Sequence, residues 1–248
     1  MTTTPFFRAT CRLATALWLA ASSAASAQTA AAAAAPAATR SVPDTIGQRV
    51  LACTTCHGKE GRATAEGYFP RIAGKPAGYL YNQLVNFREG RRSNATMTYL
   101  VEHLSDAYLR EIAGYFSAQD LPYPPPQTQN LARDVAARGQ ALSLQGDAKR
   151  GIPACTQCHG TALTGVAPAV PGLLGLPRDY LIGQFGAWKT GERKARAPDC
   201  MAQIAARLSA EDIGTMASWL SAQPVPANAK PSAAPTLPLP MPCGSGHE

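Results

Sequence analysis

The chain contains Cys53-Thr54-Thr55-Cys56-His57 and, 102 positions later, Cys155-Thr156-Gln157-Cys158-His159. Two thiols separated by two residues, with a histidine directly behind them, form one chemical unit. On a helical turn the i, i+3 spacing brings both sulfurs to the same side, where they can add to the two vinyl groups of one porphyrin. The next residue then turns its imidazole onto the iron. This is the attachment signal of c-type haem. Cys53, Cys56 and His57 would hold one haem and Cys155, Cys158 and His159 another, so the implied cofactors are two haem c. A zinc site would draw two such pairs around one ion, whereas each pair here stands in its own repeat with its own histidine. A thioredoxin-like redox pair needs a strand-helix-strand setting that the flanking pattern lacks. A disulfide inside each C-x-x-C would leave the repeated histidine without a purpose.

Iron bound by histidine has a sixth position, and a thioether there raises the potential of a cytochrome c. Met97 follows His57 by 40 residues and Met201 follows His159 by 42, at equivalent places. His57 with Met97, and His159 with Met201, are therefore the candidate axial pairs. Methionine in a helical protein is commonly core packing; Met216, whose repeat partner is Ile112, reads that way, and Met241 has no counterpart. The carbonyls of Pro70 and Pro171 are candidates to accept the other ring N–H of each histidine, with a plain turn as the competing reading. Tyr79, Tyr180 and Trp188 read equally as propionate partners or as packing. Arg88, Arg91, Arg92, Lys189, Arg193, Lys194 and Arg196 read as a solvated basic surface more readily than as a rim around the haems.

The elements that must position these residues come from an internal repeat. After CTTCHG and CTQCHG the chain continues as FPRIAG and VPGLLG, both P-x-(Ile/Leu)-x-Gly. YLYNQLVNFREGRR then matches YLIGQFGAWKTGER, aligning Tyr79 with Tyr180, Gln83 with Gln184, Phe87 with Trp188 and Gly90 with Gly191. Ser105 and Ser209 are plausible N-caps, followed by Leu109, Ile112 and Phe116 or by Ile213, Met216 and Leu220 at helical spacing. Further helices are expected over 79 to 87 and 180 to 188, and before each motif over 45 to 53 and 132 to 144. Period-two strand patterns are scarce, so each block reads as a small all-helical domain. A domain of this size has a limited apolar core, and a covalently held porphyrin would supply the missing interior.

The 248-residue chain divides into six stretches. Residues 1 to 27 read as a signal peptide, with Arg8 and Arg12, a short apolar run over 13 to 21, and Ala25-Ser26-Ala27 as cleavage site. Residues 28 to 40 form an alanine-rich lead-in, 41 to 121 the first domain, 122 to 130 a stiff proline-rich linker, 131 to 223 the second domain, and 224 to 248 a Pro/Ala/Ser-rich tail without its own core. The formal charge of +7 falls to +5 without Arg8 and Arg12. Basic and acidic residues are interspersed, which argues against a nucleic-acid partner. Of seven cysteines, Cys11 leaves with the signal and four serve the motifs, so Cys200 and Cys243 remain. They can pair in an oxidising compartment, the reading favoured here, although Cys200 could also be free or replace Met201 on iron. His103, aligned with Arg207, and His247 lie outside the motifs.

CxxCHG, P-x-(Ile/Leu)-x-Gly, Tyr-Leu-x-x-Gln and Met-x-x-(Ile/Leu)-x-x-x-Leu-Ser, each present twice over 41 to 223, resemble the tandem class I cytochrome c domains of the dihaem cytochrome c4 family. The resemblance implies an all-α fold, each domain wrapped around one covalently bound haem. It also implies His/Met ligation at both irons and periplasmic electron carriage. Donors would be a quinol-cytochrome c reductase or a dehydrogenase and the acceptor a terminal oxidase, with peripheral association to a membrane complex open. The lead-in, the proline cluster and the tail with Cys243 depart from the pattern. Two irons with both axial positions filled leave no place for a substrate, so one-electron transfer is the expected function. The alternatives are a dihaem peroxidase or thiosulfate-oxidising cytochrome with one exchangeable ligand, for which Cys200 beside Met201 speaks, and the cytochrome subunit of a periplasmic dehydrogenase.

Overall fold

Ser105 and Ser209 accept backbone N–H bonds from Tyr108 and Asp212, and so cap the two helices predicted behind them. In the computed structural model, which describes residues 42–64, 67–127, 130–234 and 238–246, these helices are α5 (Asp106–Ser117) and α10 (Ala210–Ser221). Their predicted inward positions are all buried: Leu109, Ile112 and Phe116 on one, Ile213, Met216 and Leu220 on the other. Truncating any of these large side chains to alanine should cost about 2–5 kcal/mol through lost burial and the cavity left behind.

The first repeat runs α1 (Ile46–Arg49), α2 (Leu51–His57), α3 (Ala77–Arg88), α4 (Ala95–Val101) and α5; the second runs α6 (Arg133–Leu144), α7 (Thr156–His159), α8 (Arg178–Thr190), α9 (Cys200–Arg207) and α10. Helices α3 and α5 pack together around Leu80, Val85, Leu109 and Phe116, and α10 packs on both α6 and α8. The helix expected over 45 to 53 is broken at Val50, where φ −88° and ψ 5° close one turn and start the next. Two short helices, α4 and α9, lack the length to show a period in sequence. Between α7 and α8 a two-stranded antiparallel ribbon, β1 (Gly165–Val166) with β2 (Val170–Pro171), closes the loop after the second motif. No described helix is long and apolar enough to cross a membrane.

The described part of the proline-rich segment, expected to be a stiff linker, carries no helix or strand and is pinned to the first repeat. Arg71 donates to the carbonyls of Leu121 and Pro122, and its guanidinium lies 4.0 Å over the Tyr123 ring. The described part of the tail has no helix, yet it too is tied down. Ser232 exchanges backbone hydrogen bonds with Gly165 and Ala167, Cys243 is disulfide-bonded to Cys200, and the Ser245 carbonyl accepts from Asn82. The expected signal peptide, the lead-in and His247 lie outside the described residues.

Candidate haem sites

Each C-x-x-C-H motif ends a helix, with His57 last in α2 and His159 last in α7. The glycine that follows turns the chain sharply. Gly58 has φ 74°, and a Cβ there would stand 2.4 Å from the Ala63 carbonyl oxygen, so a side chain is excluded. The turn brings the next loop back under the imidazole. His57 Nδ1 lies 2.9 Å from the Pro70 carbonyl and His159 Nδ1 lies 2.7 Å from that of Pro171. A carbonyl can only accept, so each Nδ1 carries the proton and each Nε2 keeps its lone pair for a metal. Burial pushes both imidazoles below their ordinary pKa, against the opposing pull of the carbonyl hydrogen bonds, and both are therefore neutral at pH 7.

The four motif cysteines are unpaired. Burial raises the thiols of Cys53 and Cys158, and that of Cys155 to about 11, so they stand as S–H groups. An S–H adds across a vinyl double bond to give a thioether without net oxidation, whereas zinc would demand thiolates. Among the described residues no three His, Cys, Asp or Glu side chains converge on a metal site. Met97 packs against the first core together with Cys53, and Met201 against the second together with Cys155. Both methionines sit in the first turn of their short helices, which Asn94 caps through the Met97 N–H at 3.0 Å and Asp199 through the Ala202 N–H at 3.0 Å. Met216 is core, 2% exposed, and the His103 side chain is 91% exposed beside Glu102.

Among the basic residues Arg193 is buried and Arg88, Arg91 and Arg92 are half-buried, a departure from the solvated surface expected for them, whereas Lys189, Lys194 and Arg196 are exposed as expected. Arg88 donates to the Leu104 carbonyl and Lys189 to those of Ala205 and Leu208, so this equivalent pair ties down the ends of the two methionine helices. Arg92 and Arg193 face each other between the repeats. Each guanidinium donates to both Gln83 and Gln184, and Arg193 reaches the Tyr79 hydroxyl as well. Arg92 lies over Phe87 at 4.6 Å and Arg193 over Trp188 at 3.9 Å. Desolvation, then the neighbouring Arg193, push Arg92 below its ordinary pKa, and no carboxylate faces either guanidinium among the described residues. Beside them the Trp188 Nε1–H is buried without an acceptor.

Uncompensated cations and an orphaned donor mark a place for anionic oxygen. The carboxylates of haem propionates have that chemistry, and the thiols, lone-pair imidazoles and thioethers supply the rest of the donor set; the residues present fit the group. Sequence reasoning named Tyr79 and Trp188 as candidate propionate partners but read Arg92 and Arg193 as solvated surface more readily than as a haem rim, because only the doubled glutamine and arginine alignment hints that two repeats share one seam. Cys200 is bonded to Cys243, which removes it as a free thiol or substitute iron ligand.

No protein-family model matches the chain. It is 37% identical over 175 residues to the thiosulfate dehydrogenase electron acceptor of Thiomonas intermedia, covering 70% of this chain and 79% of that one. It is 33% identical to cytochrome c4 of Pseudomonas aeruginosa, covering 69% and 84%. Reduced recombinant cytochrome c4 from Pseudomonas stutzeri superposes with a TM-score of 0.59 at 30% identity, covering 71% of this chain and 95% of that one. The TsdBA thiosulfate dehydrogenase of Marichromatium purpuratum superposes with a TM-score of 0.61 at 32% identity, covering 69% of this chain but spanning only 36% of the larger one. The helical fold, the doubled attachment motif and these relatives converge: the chain is a dihaem electron carrier with two haem c, and it belongs to the cytochrome c4 family.

Proposed function

We propose that the chain carries single electrons in the periplasm, receiving them from a dehydrogenase and passing them toward a terminal oxidase, through two closed sites. Cys53, Cys56, His57 and Met97 serve the first haem, and Cys155, Cys158, His159 and Met201 the second, within domains spanning 41 to 121 and 131 to 223. One observation carries the reading: in each repeat an imidazole with its Nδ1–H fixed on a proline carbonyl is matched by a methionine packed on the same core as the first motif cysteine. With both axial positions supplied by the chain, no position is left for a substrate. Haem iron bound in this way supplies a one-electron change. The chain's residues keep the ligands fixed, exclude water from the buried histidines and offer Arg92, Arg193 and Trp188 to the propionates.

The test is the weak near-infrared band of methionine-bound ferric haem. Met97→Ala and Met201→Ala should each remove about half of it, since the two sites are equivalent in ligation. If Met201→Ala left the band whole, the second site would have another ligand and the carrier reading would fail there.

The donor reading favours a thiosulfate-oxidising enzyme, because the Thiomonas relative is named as the electron acceptor of thiosulfate dehydrogenase. Coupling two thiosulfate ions releases two electrons, and two haems take one each. Thiosulfate should therefore reduce the haem-loaded chain only when a thiosulfate dehydrogenase is added. Reduction by thiosulfate alone would overturn the carrier reading in favour of an enzyme.

A further inference from the structure

Lys75 follows Gly74 in the first repeat, and the alignment sets it against Leu176 after Gly175 in the second. It is 4% exposed. The only other charge acting on it is that of Arg71, which is also positive, so no carboxylate compensates it among the described residues. Its ammonium donates to the Gly172 carbonyl at 3.4 Å and lies 5.8 Å from the Tyr123 ring centre. Gly172 directly follows Pro171, whose carbonyl fixes His159. A lysine of the first repeat thus stands behind the axial histidine of the second, close enough for its charge to act on that imidazole. His57 has Arg92 as its cationic neighbour, but Arg92 belongs to the seam where propionate carboxylates fit, whereas Lys75 faces only carbonyl and ring.

We infer that Lys75 raises the reduction potential of the second haem specifically, so that the first repeat biases the electron toward the second, resting on the assignment of His159 and Met201 as the second axial pair. Reduction of the iron site lowers its positive charge by one. A fixed cation nearby favours the reduced form, and burial removes the water that would screen it. Leu176, the equivalent residue, carries no charge and has no such effect on the first site. Lys75 touches no reactant; it acts through space on the His159 site.

The experiment is a redox titration of the haem-loaded full chain, followed on the methyl proton resonances of the two iron-bound methionines, which separate the sites. Lys75→Met and Lys75→Gln should lower the second potential and leave the first in place. The expected change is about tenfold in the electron's partition between the haems, ~59 mV for one electron. Lys75→Arg, which keeps the charge, should titrate as the wild type. Gln retains a donor for the Gly172 carbonyl, so it answers the question even if Met impairs assembly. Unmoved potentials, equal shifts at both haems, or a loss of potential in Lys75→Arg would overturn the inference while leaving the ligand assignment intact. A wild-type protein without the Met201 methyl resonance would instead sink the assignment, and the inference with it.

Discussion

Helix α4 holds Met97 with the Asn94 cap and a hydrogen bond from Thr98 to the Phe87 carbonyl, and it leaves Tyr99 77% and Leu100 38% exposed. Helix α9 holds Met201 with the Asp199 cap and adds a covalent tie, because its first residue, Cys200, is bonded to Cys243. In the tail leading to that bond, Pro240 and Met241 form one wall of an open surface hollow that Gln203 and Arg207 of α9 also line. Gln203 is the counterpart of Tyr99. Equivalent methionines are thus carried by a helix with exposed apolar surface in one repeat and by a helix tied covalently to the chain's own tail in the other. Equivalent residues can have different support around them: the tail is bonded covalently to the second repeat, while it meets the first through the hydrogen bond from Asn82 to the Ser245 carbonyl.

The largest test of that difference is to cut the tie. The disulfide spans a sequence separation of 43, and closing a loop of this length restricts the unfolded chain by about 4 kcal/mol in the loop-entropy account. Cys200→Ser with Cys243→Ser should lower the unfolding free energy of the haem-loaded protein by that order in denaturant titrations. The near-infrared methionine band should fade first at the second site. A double variant whose two sites lose their band together would show that the tail does not brace α9 selectively.

A second asymmetry lies behind the last helix of each repeat. Asp212 is fully buried and accepts from Arg138 at 2.8 Å, from Arg150 at 2.6 Å and from the Ser209 backbone at 2.9 Å, where the first repeat has Tyr108. Burial alone would raise this carboxyl, but the hydrogen bonds from Arg150, the Ser209 backbone and Arg138 outweigh it and hold the group well below the usual carboxylate range. A depressed folded pKa means stability that is complete above the ordinary value of 3.8 and is lost as pH falls below it. Asp212→Asn should cost about 3 kcal/mol, since two arginines lose their shared partner. Acid titration followed at both haems should open the second site before the first in the wild type and abolish the difference in Asp212→Asn.

The approach of the first helix to the last differs as well. A Cβ on Gly139 of α6 would fall 2.3 Å from the Thr215 carbonyl oxygen and 2.8 Å from Trp219 Cβ of α10, whereas one on Gly47 of α1 would meet nothing closer than 3.8 Å. Gly139→Ala should destabilise by about 2 kcal/mol through overpacking, while Gly47→Ala should be neutral or slightly stabilising by helix propensity. Thermal melts of the two variants decide this, and equal effects would mean that α6 and α10 can separate without cost.

Much of this arrangement is legible in the chain itself. The attachment motifs, the capping serines and the i, i+3, i+7 spacing behind them name the site and its main helices, because each is a local pattern. What is not legible depends on partners far apart in sequence. The short helices that carry the methionines span only about two turns, too few for a repeat to be counted in the sequence. The break falls at Val50, which is buried in the first core where α1 packs on α5. Arg92 and Arg193 look like surface charge until two repeats are laid face to face. Lys75 carries no local signal beyond its apolar counterpart Leu176, since its significance lies in a carbonyl 97 residues away.

The smallest expected effect isolates the helix caps, where the two repeats are most alike. Asn94 Oδ1 accepts from Met97 N–H in α4, and Asp199 Oδ1 accepts from Ala202 N–H in α9, both at 3.0 Å. Removing either acceptor should cost about 1 kcal/mol of helix stability, but the consequences for ligation should differ. In Asn94→Ala the frayed turn contains Met97 itself and no covalent tie restrains it, so added imidazole should displace the thioether more readily than in the wild type. In Asp199→Ala the Cys200–Cys243 bond still fixes the residue before Met201, and the imidazole titration of the second haem should be nearly unchanged. Adding the Cys200→Ser and Cys243→Ser changes to Asp199→Ala should then bring the second site to the behaviour of the first. If Asp199→Ala alone weakens ligation as much as Asn94→Ala does, the caps rather than the tether hold the methionines, and the contrast between the repeats reduces to surface covering.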